Sequence, residues 1–239
     1  MPGLADVSDL IRARRAGRAP LVLGVTGAVA AGKSTFAAEL KVAIETWPEA
    51  PTVEVIGTDG FLHPNAVLEG RGLLNRKGFP ETYDADGMRA ALAAIRLGPA
   101  DFPTYSHVLY DIDPVNVRRL DPPDVLIVEG LGLHEGAAAV GLDALIYLDA
   151  DETHVEAWFE ARFIAFWRAA ETDPSSFYAR FRHLSEAETR GVAGQVWRMI
   201  NLPNLREHIV RGRDVADVLV SKSADHAILA VVERERRRP

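Results

Sequence analysis

The chain of 239 residues reads as an α/β protein: one mostly parallel sheet with helices on both faces, three layers in all. Two observations carry that reading. Short apolar, β-branched runs of strand length alternate with longer stretches of helical periodicity. One of these runs ends in a glycine-rich loop that leads straight into a helix.

Taken in order, residues 1–20 form a short N-terminal segment in which arginines interrupt every apolar stretch, so no signal-peptide core is present. LVLGVT (21–26) is a buried strand. Phe36, Leu40 and Ile44 then recur at four-residue spacing on one face of a helix over 33–46. TVEVIGTD (52–59) is a second strand ending at Asp59. Residues 60–84 hold Gly, Pro, Asn and charges without periodicity and read as a long loop, which in a compact domain points to function. A helix over 85–97 begins near Asp84 or Asp86 and stops at Gly98-Pro99. DVLIVEG (124–130) and ALIYLDA (144–150) are further strands. A helix runs from Asp151 to about Ala170, with Val155, Phe159, Arg162 and Phe166 on one face. A second covers 185–200. VADVLVSKS (215–223) is a fifth strand, and a final helix runs into a charged, solvated end at 234–239. No repeat or linker divides the chain, so residues 1–239 are expected to form a single domain.

Composition narrows the function classes. Lys and Arg number 27 against 34 Asp and Glu, a net charge of −7. That balance, with no basic stripe, argues against a nucleic-acid partner. The absence of cysteine excludes a disulfide scaffold, a thiolate nucleophile and sulfur-ligated zinc. No apolar run approaches the roughly 18 residues of a membrane span, so no membrane partner is expected and the cytoplasm is the expected compartment. Arginine outnumbers lysine 23 to four, which makes Lys33, Lys41, Lys77 and Lys222 the more informative cations.

The strongest motif is Gly27-Ala28-Val29-Ala30-Ala31-Gly32-Lys33-Ser34, followed by Thr35, which fits G-x-x-x-x-G-K-S between a strand and a helix. Glycines there let backbone N–H groups converge on phosphate oxygens, and the helix N-terminus adds a positive field. Lys33 then reaches the β- and γ-phosphates of a nucleoside triphosphate, and Ser34 ligates Mg²⁺. This is a fold of the P-loop NTPase type.

Ligands in open α/β sheets bind outside the carboxyl ends of the strands, where Asp59, Glu129 and Asp149 fall. Each taken alone is equally a helix cap or turn former. Beside a phosphate loop, Asp59 becomes the favoured base for an acceptor hydroxyl and Glu129 the favoured metal partner. Asp149 is expected to start the next helix.

GVTGAVAAGKST (24–35), TDGFLHPN (58–65), RKGFPETYD (76–84), YSHVLYD (105–111), IVEGL (127–131), TDPSSFY (172–178) and SKSADHA (221–227) together resemble the bacterial type I pantothenate kinases. These are P-loop kinases related to uridine kinase and phosphoribulokinase. The likeness runs from about residue 21 to about 233. It implies ATP- and Mg²⁺-dependent phosphorylation of the primary hydroxyl of pantothenate, the first step of coenzyme A biosynthesis, and a homodimer. By the same resemblance Asp59 is the catalytic base, and Tyr105, His107 and Tyr110 surround the acceptor. Arg162 is a lid arginine on the transferring phosphate, Asn204 hydrogen-bonds the acceptor, and Lys77 lies in a mobile K-G-F-P loop.

The chain departs from that pattern in four places. About 20 residues precede the first strand where the family carries a long helical extension. The segment between Glu129 and Asp149 is shorter. Phe159 stands where the family has a substrate-contacting tyrosine, and Ala38 where it has an arginine used in feedback inhibition by coenzyme A. Two alternatives stay open: a related kinase acting on a nucleoside, a sugar or another alcohol, and a nucleotide-binding regulator with little turnover.

Overall fold

Seven consecutive buried residues need cover on both sides, and LVLGVTG forms such a strand, β1 (Leu21–Gly27), at the centre of the molecule. The computed structural model describes residues 2–14, 19–133 and 141–234. Before β1 comes a helix, α1 (Leu4–Arg14). After it follow α2 (Lys33–Glu45), β2 (Val53–Gly57), α3 (Asn65–Gly70), α4 (Ala85–Ile95), β3 (Ala100–Ser106) and β4 (Asp111–Leu120). Then come β5 (Val125–Glu129), β6 (Ala144–Asp149), α5 (Glu152–Ala169), α6 (Glu186–Val196), α7 (Leu202–Glu207), α8 (Gly212–Val215), β7 (Val218–Lys222) and β8 (Ile228–Glu233).

Six strands make one sheet in the order β2-β5-β1-β6-β7-β8, parallel except for the β7–β8 pair. Alternation along each strand sorts its side chains between two cores. Leu21, Leu23, Val25, Val125, Ile127, Ile146, Leu148, Val218 and Val220 face the side covered by α1 and α2. Val22, Leu126, Val128, Leu145, Tyr147 and Leu219 face the side where Met88, Leu92 and Ile95 of α4 pack. The expected three layers are therefore present, and Phe36, Leu40 and Ile44 are the buried face of α2.

Several elements differ from the sequence reading. The N-terminal segment holds a helix, because Val7 and Ile11 are fully buried and Trp47 Nε1 donates to Ser8 Oγ at 2.8 Å. Residues 60–84 are not a structureless loop. They begin within a 3₁₀ turn at Thr58–Phe61 and contain α3 and short 3₁₀ turns at Leu74–Arg76 and Pro80–Thr82. Residues 100–120 form an antiparallel hairpin, β3–β4, with a bulge between Pro103 and Thr104. The expected final helix is a strand: β8 pairs antiparallel with β7 and forms that edge of the sheet. Asp149 does not start α5. Asp151 caps it, accepting from the Thr153 N–H at 2.8 Å, while Asp149 ends β6 and pairs with Arg213 at 2.8 Å. The shortened stretch after Glu129 includes residues 134–140, and the charged end includes 235–239; both lie outside the described residues.

Candidate active site

The phosphate loop is shaped by backbone conformation before any side chain acts. Ala30 takes φ 65° and Gly32 φ 82°, so the loop curls back and its N–H groups converge. Gly32 is the N-cap of α2 and offers no side-chain cap, which leaves the first N–H groups of that helix open to an anion. A Cβ at Gly32 would meet only the mobile end of Lys222, Nζ at 2.9 Å, so it is the φ of 82° that asks for glycine here. Lys33 Nζ lies over the loop and donates to the carbonyls of Ala28 at 2.9 Å and Gly27 at 3.3 Å. Burial lowers the Lys33 pKa, and the charges of Glu129 and Asp59 oppose that shift.

Register explains what stands beside the loop. β5 pairs with β1 so that Glu129 is level with Val25, and with β2 so that it is level with Gly57. Glu129 therefore emerges next to the phosphate loop, and Ser34 Oγ donates to its Oε1 at 2.9 Å. Burial raises the Glu129 pKa, while Lys33 and the Ser34 bond hold it down. A hydroxyl and a carboxylate in contact suit Mg²⁺, which takes one or two protein oxygens and completes its shell with phosphate and water. Among the described residues no group of three or more His, Asp and Glu side chains forms a denser metal cluster.

Asp59 sits in the 3₁₀ turn after β2, half-buried, and accepts from Tyr83 Oη at 3.3 Å. Burial first, then the adjacent Asp59 charge, push the Tyr83 pKa well up, so this phenol stays a donor. The turn itself is fixed by close backbone approach: a Cβ on Gly60 would collide with the Pro103 carbonyl oxygen of β3. That contact binds the Asp59 turn to the β3–β4 hairpin.

The hairpin tip supplies an aromatic wall. Tyr105 and His107 have ring centroids 5.2 Å apart, Tyr110 stacks on Phe177 at 4.3 Å, and Phe166 stacks on Tyr178 at 5.1 Å. Phe166 comes from α5 and Phe177 from the TDPSSFY segment, so the motifs quoted from sequence meet here. Arg162 is exposed, one turn before Phe166, with its guanidinium 5.4 Å from that ring. Its charge acts on Lys33, Glu129, His107 and Tyr110. Burial lowers the His107 pKa, with Asp59 opposing and Arg162 and Lys77 reinforcing.

The structure thus brings Lys33, Ser34, Glu129, Asp59, Tyr105, His107, Tyr110 and Arg162 around one cleft. Two expected residues stand otherwise. Phe159 turns its ring to Trp197 at 5.9 Å and Phe163 at 6.1 Å, at the edge of the core. Asn204, buried, donates from Nδ2 to the Gly78 carbonyl at 2.8 Å and so grips the K-G-F-P loop; its enclosed Oδ1 has no partner among the described residues. Sequence reasoning left Tyr83, Lys222, His226 and Trp158 without a role. Lys222 Nζ donates to the Ala31 carbonyl at 2.9 Å, and His226 stacks on Trp158 at 3.9 Å beside Gly32. The scarcity of lysine and the SKSADHA run were the available signals for this flank.

Strand, phosphate loop, helix, metal-compatible corner and facing carboxylate define a P-loop kinase. Residues 22–158 match the Phosphoribulokinase / Uridine kinase family, and the chain belongs to it as an ATP-dependent kinase. It is 43% identical over 237 residues to a pantothenate kinase of Sorangium cellulosum, covering 95% of this chain and 77% of that one. It is 42% identical over 231 residues to a pantothenate kinase of Rhizobium leguminosarum bv. trifolii, covering 91% and 70%. A D-glycerate 3-kinase from Cryptococcus neoformans var. grubii shares the fold, with a TM-score of 0.68 at 14% identity over 97% of this chain and 99% of that one. Among the described residues no helix is long and apolar enough to cross a membrane.

Proposed function

We propose that this kinase transfers the γ-phosphoryl group of ATP to the primary hydroxyl of pantothenate, giving 4′-phosphopantothenate and ADP. The observation that carries the reading is the cleft itself, in which Asp59 faces the Lys33–Ser34–Glu129 corner across the Tyr105–His107–Tyr110 wall. The names of its relatives at 42–43% identity support the acceptor. Asp59 accepts the hydroxyl proton as the new O–P bond forms and the bond from the γ-phosphorus to the bridging oxygen breaks. Lys33 and Arg162 offset the charge on the phosphoryl oxygens, which act mainly by position and field. Ser34 and Glu129 would hold Mg²⁺, which would supply charge neutralisation to the triphosphate. Asn204 Oδ1, without a partner among the described residues, offers an acceptor for a substrate N–H or O–H. By resemblance the protein is a homodimer in the cytoplasm, and light scattering of the purified chain tests the first point.

One observation favours a second acceptor: Phe159 lacks the hydroxyl that the pantothenate kinases present there. ADP release with MgATP against pantothenate, uridine, cytidine and ribulose 5-phosphate separates the two readings, with Asp59→Ala as control. Saturable turnover on pantothenate, lost in the control, is expected. Turnover on another alcohol alone would transfer the assignment to that alcohol, and ATP binding without any turnover would leave a nucleotide-binding regulator.

A further inference from the structure

Three acceptor-side segments meet at a polar knot tied by Asn65, the last residue of the TDGFLHPN run and the first of α3. Its backbone N–H donates to Asp111 Oδ1 at 3.0 Å, and its Nδ2 donates to the Tyr110 carbonyl at 2.9 Å. Its Oδ1 accepts from Lys77 Nζ at 2.6 Å, and Lys77 gives a second N–H to the same Tyr110 carbonyl at 2.6 Å. The knot needs an amide. A carboxylate of that size only accepts and an aliphatic group does neither, whereas Asn donates and accepts through neighbouring atoms.

What the knot holds is specific. Tyr110 takes φ 56°, a left-handed conformation that a tyrosine occupies only when its surroundings fix it. The two bonds at its carbonyl provide that fixing, and its ring then stacks on Phe177. Lys77 Nζ lies 4.8 Å from the ring centroid of Tyr105 and 4.5 Å from that of Tyr110. An ammonium carries three N–H groups, and among the described residues Asn65 and Tyr110 engage two of them.

We propose that Asn65 is a positioning residue for the phosphoryl acceptor: through Lys77 and the Tyr110 carbonyl it holds a lysine ammonium, with one N–H to spare, between two tyrosine faces on the acceptor side of Asp59. This rests on the reading of that pocket as the acceptor site. Asp59 faces Lys77 from the turn after β2 and Asp111 from β4, while Tyr105, His107 and Tyr110 face it from the hairpin. Burial brings the Lys77 pKa down to about 8, with Asp111 and Asp59 opposing. The ammonium is therefore the form present at neutral pH, and raising the pH through about 8 removes its charge. Asn65→Asp sets a carboxylate against Nζ and extends the charged range upward. Asn65→Ala removes a ligand of the ammonium and shortens that range.

The test is steady-state kinetics of both variants from about pH 6 to about pH 10 with MgATP and whichever acceptor the parent turns over. Asn65→Ala is expected to raise the acceptor KM about tenfold, with kcat and the KM for ATP within about twofold. The alkaline limb of acceptor kcat/KM is expected to move up in Asn65→Asp and down in Asn65→Ala. Nitrogen NMR of the four lysine side chains follows the Lys77 titration without any turnover and is expected to move in the same two directions. An unmoved limb with an unmoved Lys77 titration would overturn the proposal, as would equal losses for acceptor and ATP. Failure of pantothenate alone would remove that acceptor and leave the lysine titration to decide on Asn65. Should Asn65→Ala not fold, the nearly isosteric Asn65→Asp carries the test.

Discussion

The two sides of the cleft are made by opposite means. The phosphate side comes from one continuous run, Gly27–Thr35, whose shape follows from three residues of positive φ, Gly27, Ala30 and Gly32, and the start of a helix. The acceptor side is assembled from distant pieces: the Asp59 turn, the K-G-F-P loop, the β3–β4 hairpin tip, Phe166 and Arg162 of α5, and Asn204 of α7. A local motif carries its own geometry. A composite wall exists only when backbone contacts such as Gly60 on Pro103, or side-chain knots such as Asn65 on Tyr110, bring its pieces together.

That contrast predicts which losses separate. Asp59→Ala is expected to lower kcat by about 10²- to 10⁴-fold while ATP affinity stays within about twofold. Lys33→Ala is expected to lose about 10²- to 10³-fold in transfer and to weaken ATP binding as well. Calorimetric titration with ATP beside the coupled assay checks both, and equal loss of ATP binding in the two variants would break the division.

Next in size, Gly60→Ala should cost about 1–3 kcal/mol of stability by urea denaturation, because a methyl group meets the Pro103 carbonyl and backbone must shift. If the acceptor side depends on that seam, the acceptor KM of the variant rises more than its KM for ATP.

How much of this was legible follows the same division. The phosphate loop, β1, α2 and the buried strands were readable because their signals are local: an apolar run, a four-residue period, a glycine-rich turn. The β3–β4 hairpin was not, since its bulge after Pro103 interrupts the alternation that marks a strand. β8 was misread because its apolar run fits a helix or a strand equally, and only pairing with β7 decides. Asp149 looked like a cap, yet its partner, Arg213, lies far along the chain in α8. Tyr83 and Asn65 sat within motifs quoted from sequence, but their roles depend on contacts that no spacing reveals.

Smaller effects sharpen the picture. Phe159→Tyr restores a hydroxyl at the pantothenate-kinase position and should lower the KM for pantothenate by about fivefold, the worth of about 1 kcal/mol. An unchanged KM would mean that the Phe163–Trp197 contacts hold this ring away from the acceptor. Smallest of all is the response to free coenzyme A. If, as the resemblance implies, exposed Ala38 on α2 stands where the family uses an arginine for feedback, inhibition is expected to be weak, and potent inhibition competitive with ATP would locate the feedback site elsewhere.

The Trp158–His226 stack beside Gly32 has an optical consequence. Indole emission is quenched by electron transfer to a contacting imidazolium, so the brightness of Trp158 depends on the His226 ring and its charge. Burial and the neighbouring Lys222 hold His226 toward its neutral form. A nucleotide entering beside the phosphate loop would perturb both rings at once. Tryptophan emission is therefore expected to change as ATP is titrated in, read against the constant signal of Trp47, Trp167 and Trp197, and an emission that does not change would place the nucleotide away from this stack.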